Sequence, residues 1–208
     1  MYRLADADQP WVGTGELANA LALSPGTVTS MLKSLHAKGL VEYQAYRGAK
    51  LTSAGELIAL RILRRHRLLE SFLARVLDLG WDEVHDDAER MEHVVSDFLI
   101  ERIDSYLGRP RFDPHGDPIP CPNGEIVERR AQPLSSLPIG SDFTLVHVLD
   151  QTADFLQYLD SCGLELGTTG TVSARNQPAR TVSVKLESGE YTFSLSTASQ
   201  LMVTTGEP

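Results

Sequence analysis

The sequence has little cysteine, no long apolar run and no short motif of hydrolytic chemistry. Cys121 and Cys162 stand 41 positions apart, which makes neither a disulfide framework nor a Cys-x-x-Cys metal knuckle. Cys162 reads as a core thiol, and Cys121 is given no role. No stretch approaches the roughly 18 apolar residues of a membrane helix, and Met1-Tyr-Arg-Leu-Ala-Asp does not read as a signal peptide. His-Glu-x-x-His is absent and no nucleophile motif replaces it. A soluble, cytoplasmic, non-enzymatic protein with no membrane contact is expected. Hydrophobic residues at 42% and charged residues at 23% are ordinary for a folded chain and argue against disorder.

The net charge of −9 argues against nucleic acid until it is divided. Residues 1–67 carry nine Lys or Arg against five Asp or Glu, a net +4, and residues 68–208 carry ten against 23, a net −13. A basic amino-terminal third joined to an acidic remainder suggests a DNA-facing module with a regulatory body.

The pattern of that basic third is helix, turn, helix, hairpin. Thr14 reads as the N-cap of a short helix with Leu17, Ala18 and Leu21 on one face. Ser24 caps a second helix with Pro25 at its first position; Val28, Met31, Leu32 and Leu35 repeat at helical spacing, and Gly39 ends it as a left-handed cap. Leu40–Tyr43 and Ala49–Thr52 read as strands joined by a Tyr46-Arg47-Gly48 tip. In such a winged helix-turn-helix the second helix enters the major groove and the wing touches backbone. The candidates for contact with DNA are Ser24, Pro25, Gly26, Thr27, Thr29, Ser30, Arg47 and Lys50.

A helical pattern runs from Ser53 to about Leu79, with Leu57, Ile58, Ile62, Leu68, Leu69, Phe72, Leu73, Val76 and Leu77. A second runs from about Trp81 to Leu107. Together they supply more apolar surface than one small domain needs, which suggests a homodimer core. Residues 109–139 hold most of the prolines and read as loop and linker. From about Ile139 to Val203, short alternating runs between Gly-rich turns, interrupted by one helix at about Thr152 to Ser161, suggest a small SH3-like β-barrel. The fold class is therefore α+β: a DNA-binding winged helix-turn-helix over 1–60, a helical metal-binding and dimerisation domain over 61–127, and an SH3-like domain over 135–208.

On a continuous helix, His85, Glu89, Glu92 and His93 fall at i, i+4, i+7 and i+8 on one face, and His66 and Glu70 repeat the i, i+4 spacing upstream. Such groups near apolar positions are costly to bury without counter-charge. A divalent cation offsets that cost, and His with Glu ligands suit Mn2+, Fe2+ or Co2+. The alternatives at this point are a solvated acidic face and a metallohydrolase.

The ordered set Ser24-Pro-Gly-Thr-Val-Thr, Gly39-Leu-Val, Tyr46-Arg-Gly, Leu51-Thr, Arg65-His-Arg-Leu-Leu-Glu70, Val84-His-Asp-Asp-Ala-Glu-Arg-Met-Glu-His93, Ser96-Asp97 and Asp113-Pro-His-Gly-Asp-Pro-Ile-Pro120 resembles the DtxR/MntR family of metal-dependent repressors. It covers essentially the whole chain, and the last part resembles the FeoA-like SH3 domain of longer members. The resemblance implies a repressor that binds a palindromic double-stranded DNA operator as a homodimer when metal-loaded. It places Glu89, Glu92 and His93 in a primary metal site and His66, Glu70 and His85 in an ancillary one. Asp113, His115, Gln151 and Asp154 are possible additional ligands. A glutamate at 89, where the iron branch has cysteine, favours Mn2+ over Fe2+. The family's longer first helix supplies a further ligand; here only Met1–Ala5 precede an Asp6-Ala7-Asp8-Gln9-Pro10 turn, too few for a stable helix, and an upstream start is expected. The competing expectation is a winged-helix regulator answering to a small organic ligand.

Overall fold

A computed structural model describes residues 1–2, 4–5 and 9–206. The expected turn at Asp6-Ala7-Asp8 falls outside these residues. The chain divides into two compact units, Met1–Leu63 and Arg64–Pro208. No helix among the described residues is long and apolar enough to cross a membrane.

The first unit contains α1 (Thr14–Ala20), α2 (Pro25–Ala37), β1 (Val41–Gln44), β2 (Gly48–Leu51) and the start of α3 (Ser53–Leu77). It is a winged helix-turn-helix. Its core is Val12, Leu17, Ala18, Val28, Leu32, Val41 and Ala49. Ser24 caps α2, its Oγ accepting from the Thr27 N–H at 3.2 Å, with Pro25 at the position where a missing N–H costs nothing. Gly39, with φ +71, follows the helix as the left-handed residue expected there. Several details differ from the sequence reading. Gly13, not Thr14, is the N-cap of α1, without a side-chain bond. Leu21 and Met31 are exposed at 51% and 46%, since Leu21 falls at the end of a seven-residue helix and Met31 on the outer face of α2. The hairpin tip is Ala45-Tyr46-Arg47, and Gly48 already opens β2. A Cβ there would stand 2.0 Å from the Val12 carbonyl oxygen, so the close pass of residue 12 requires glycine.

The second unit begins within α3 and adds α4 (Val84–Glu92), α5 (Asp97–Tyr106) and a sheet domain. The helical part packs Leu68, Leu69, Leu73, Val84, Ala88, Ile100, Ile103 and Ile119 together. The expected single helix from Trp81 to Leu107 is two. It breaks at residues 93–96, where His93 is the C-cap of α4 and Ser96 caps α5 by accepting from the Leu99 N–H. That Ser-x-x cap competes with continuation of the helix, a local preference that apolar periodicity does not register.

The sheet domain contains β3 (Gln132–Pro133), β4 (Asp142–Val148), α6 (Ala153–Ser161), β5 (Thr169–Asn176), β6 (Thr181–Leu186), β7 (Gly189–Ser194), α7 (Leu195–Ser199) and β8 (Leu201–Thr204). Its antiparallel strands lie in the order β3-β8-β4-β5-β6-β7 around a core that includes Phe143, Leu156, Leu159, Val182, Phe193 and Cys162. Leu134 and Leu137, expected in the linker, are 1% exposed and belong to this core. Leu195, within the stretch read as short alternating runs and turns, begins α7 because Ser194 caps it. The proline-rich loop is pinned as well. Gly116, with φ +92, lets the loop approach β4 so closely that a Cβ would lie 2.1 Å from the Val146 carbonyl oxygen, and the Val148 N–H donates to His115 O at 2.9 Å.

Candidate metal centre

The middle of α3 turns a charged face inward. His66 is 6% and Glu70 2% exposed, one helical turn apart, so their side chains converge. His66 Nε2 lies 2.9 Å from Glu70 Oε1, and His85 Nδ1 from α4 lies 3.2 Å from both. His66 Nδ1 faces Glu92 Oε2 at 3.0 Å. Glu70 carries a second set on its other oxygen. His115 Nδ1 is 4.0 Å from Glu70 Oε2, and Asp113 completes a buried Glu70–Asp113–His115 group whose ligand atoms lie within 4.8 Å of one another. The two three-ligand groups that could hold a cation among the described residues share Glu70.

Burial alone raises the pKa of Glu70, but hydrogen bonds from His66 and His85 outweigh it and hold the carboxyl at about 2. For Asp113 the balance is reversed: burial, with the negative charges of Asp117 and Glu70, pushes it up, against Arg67 and a backbone N–H. Asp117 is pulled down despite burial, by a hydrogen bond from His147 and the charge of Arg67.

The donor set fits a cation on two counts. His115 Nε2 donates to the Trp81 carbonyl at 2.7 Å, which turns Nδ1 into the cluster. There Nδ1 is buried with no hydrogen-bond partner, a costly arrangement that ligation relieves. Both nitrogens of His66 meet carboxylate oxygens, which do not donate when ionised. A ring carrying one N–H serves one of these contacts, and a cation would serve the other.

The remaining expected ligands are distributed unevenly. Glu92 is 9% exposed and reaches His66, while His93 sits beside it with Nε2 3.5 Å from Glu92 Oε1 and its side chain 69% exposed. Glu89 is exposed and belongs to neither three-ligand group. His85, Glu89 and Glu92 fall at i, i+4 and i+7 of α4, and His93 follows as its C-cap. Gln151 donates to Asp117 Oδ2 at 2.9 Å, one residue pair removed from the cluster, and Asp154 is exposed at the start of α6.

Four participants went unread in the sequence. Arg67 joins α3 to the loop through Asp117 Oδ1 at 2.9 Å and Asp113 Oδ2 at 3.6 Å. Asp117 is also met by His147 Nε2 at 3.4 Å. His147 reaches it because the β4 register shifts between Leu145 and His147, and such a bulge re-aims a side chain. In the first unit, Trp11 lies under both wing cations, 4.1 Å from Arg47 Cζ and 5.5 Å from Lys50 Nζ, with Lys50 paired to Glu42 at 3.1 Å. Arg67 follows the His66 signal directly and Asp117 lies in the quoted loop motif; no local pattern marks His147 or Trp11.

A winged helix-turn-helix and a buried His and carboxylate cluster are the parts expected of a metal-responsive DNA-binding regulator, and sequence comparison gives the family. Residues 1–49 match the iron dependent repressor N-terminal DNA binding domain, residues 52–121 the iron dependent repressor metal binding and dimerisation domain, and residues 132–205 the FeoA domain. The diphtheria toxin repressor of Corynebacterium glutamicum is 32% identical over 177 residues, 80% of this chain and 76% of that protein. The iron-dependent repressor IdeR of Mycobacterium leprae is 33% identical over 137 residues, 62% of this chain. This chain spans 60% of that relative's length. A solved manganese-dependent transcriptional repressor in complex with manganese superposes with a TM-score of 0.87 at 36% identity, over 99% of this chain and 98% of that one. The chain belongs to the family of metal-dependent transcriptional repressors, a family of regulators rather than enzymes.

Proposed function

We propose that this chain is a cytoplasmic homodimeric repressor that binds a palindromic DNA operator when loaded with a divalent cation, Mn2+ before Fe2+, and controls genes of metal uptake and homeostasis. The observation that carries this reading is Glu70, ionised and buried among His66, His85 and His115, with His115 Nδ1 unpartnered. The cation would be held by His66, Glu70 and His85, by Asp113 and His115 beside them, and by Glu92 and His93 with Glu89 at the end of α4; Gln151 and Asp154 are outlying candidates. When bound it supplies positive charge that the buried carboxylates and the lone imidazole nitrogen lack. Relatives named for iron and for manganese leave the metal to the chemistry of the site, and a carboxylate at Glu89 is the harder ligand.

At the DNA surface the exposed amino-terminal turn of α2 presents Ser24, Pro25, Gly26, Thr27 and Ser30. Ser24 and Thr27 hydrogen-bond each other at 2.8 Å and Thr29 Oγ1 donates to the Pro25 carbonyl. These hydroxyls shape the turn, and their oxygens retain acceptor capacity toward N–H donors of the bases. Trp11 holds Arg47 and Lys50 at the wing for phosphate contact. Val94, Phe98, Leu99 and Tyr106, exposed at 81%, 70%, 47% and 74%, supply an apolar face for a second copy.

The test is fluorescence anisotropy of labelled DNA from the protein's own promoter at fixed salt, with and without Mn2+. Binding that tightens with metal in the wild type and ignores metal in His66→Ala and Glu70→Gln is expected. Metal-dependent affinity unchanged in those variants would refute the assignment.

A further inference from the structure

We propose that a second ligand site lies in the second unit, a cavity of ≈ 530 Å³ that takes a small organic oxyanion, a phosphate or carboxylate on an apolar body. Three arginines line it: Arg75 near the end of α3, Arg111 in the proline-rich loop and Arg129 in the segment before β3. None forms an ion pair with a carboxylate among the described residues, although residues 68–208 carry a net −13. Like charges brought together in so acidic a region repel unless an anion lies between them.

Arg129 is already fixed for that role. Its guanidinium lies 3.7 Å over the Phe112 ring, and Nη1 donates to the Val146 carbonyl at 3.1 Å. The remaining N–H donors of its planar fork suit an oxyanion. Partial burial lowers its pKa.

The opposite wall carries a second, independent sign. Thr144 on β4 and Thr204 on β8 are direct cross-strand partners, and both line the cavity. Thr204 Oγ1 is buried with no hydrogen-bond partner. A hydroxyl left so is expensive, and a ligand oxygen bridging toward the arginines satisfies it. The acidic lining residue, Asp113, has its carboxylate engaged elsewhere: Oδ1 accepts from the His115 and Asp117 N–H groups, and Oδ2 faces Arg67. Phe112, Leu145, Val146 and Leu166 make the rest of the lining apolar, more surface than a bare inorganic ion covers. Apolar contact with Leu145, Val146 and Leu166 therefore selects an anion with a hydrocarbon part.

The experiment is isothermal titration of the full chain, stripped of metal with EDTA so that the outcome is independent of the repressor assignment. Phenyl phosphate, benzoate and inorganic phosphate are the probes, at ionic strength held constant with NaCl. Saturable one-to-one binding of phenyl phosphate or benzoate is expected, about tenfold tighter than inorganic phosphate. The tighter of the two organic probes assigns the head group. Arg111→Gln and Arg129→Gln should each weaken it roughly tenfold, as loss of a charge-assisted hydrogen bond does, and Thr204→Val should weaken it severalfold. Arg75 and Arg111 are exposed, so the Arg75→Gln/Arg111→Gln double variant keeps the test valid if Arg129→Gln does not fold. Absence of saturable binding by any probe, or affinity unchanged in a folded double variant, overturns the proposal.

Discussion

Replacing Glu70 with glutamine isolates the charge at the centre of the metal cluster. The glutamine is nearly isosteric, retains a carbonyl oxygen for one histidine and removes the negative charge. In the metal-free protein the Glu70 carboxyl lies at about 2 instead of 4.5, because burial raises it but hydrogen bonds from His66 and His85 exceed that penalty. A drop of that size corresponds to about 3 kcal/mol in favour of the folded state at neutral pH. The folded pKa is depressed, so this contribution is fully present above pH 4.5 and is lost as pH falls toward 2, with about half remaining near pH 3. Urea unfolding of wild type and Glu70→Gln, followed by circular dichroism in EDTA from pH 7 to pH 3, should show a gap of about 3 kcal/mol that narrows across that window. A gap independent of pH would refute the argument, because it would place the stabilisation in packing rather than charge.

Two further outcomes follow from the same geometry. Mn2+ at about a hundredfold excess over its dissociation constant should stabilise the wild type by roughly 2.7 kcal/mol, a rise in Tm of about 5–10 °C by calorimetry. His115→Leu should lose much of that rise, at a cost to metal-free stability of only about 1 kcal/mol for the Nε2 hydrogen bond to the Trp81 carbonyl, since Nδ1 has no hydrogen-bond partner to lose. Ser24→Ala should cost about 1 kcal/mol through the lost α2 cap and lower Tm a few degrees, whereas Ser24→Gly should cost only a few tenths; equal losses in the two variants would remove the cap from the account.

The sequence made the winged helix legible because its signals are local: Ser24-Pro25 starts α2, Gly39 ends it, and a short hairpin follows. The His66–Glu70 pair was legible for the same reason, one turn of one helix. Long-range closures were not. Neither the Trp81 carbonyl that orients His115 nor the β4 bulge that turns His147 toward Asp117 leaves a periodic trace. The apolar residues expected for a dimer core divide similarly. Leu68, Leu69 and Leu73 are consumed inside the unit, while Leu57, Ile58 and Ile62 remain 38–43% exposed, a distinction that spacing on one helix does not draw.

The break between α4 and α5 decides which carboxylates the cluster can recruit, and Arg65 holds it in place. Its Nη1 donates to the Glu92 carbonyl at 2.9 Å, at the end of α4 where carbonyls lack helical partners, and its Nη2 meets Asp97 at 2.8 Å in the first turn of α5. One guanidinium thus fixes both sides of the break and keeps Glu92 turned toward His66. The Asp97 side chain is 94% exposed, so that pair contributes little to stability, and the charged hydrogen bond to the Glu92 carbonyl is the larger part. Arg65→Met, which keeps the aliphatic stem, should therefore cost only about 1–2 kcal/mol of stability. Its effect on metal should be disproportionate. Freed from Arg65, Glu92 and His93 sample positions away from His66, and Mn2+ affinity by titration should fall roughly tenfold or more, as when a supporting hydrogen bond to a ligand is removed. Asp97→Asn, which spares the Glu92 carbonyl, should leave affinity near that of the wild type. Equal losses in the two variants would show that the exposed ion pair, and not the tie to the end of α4, sets the position of Glu92.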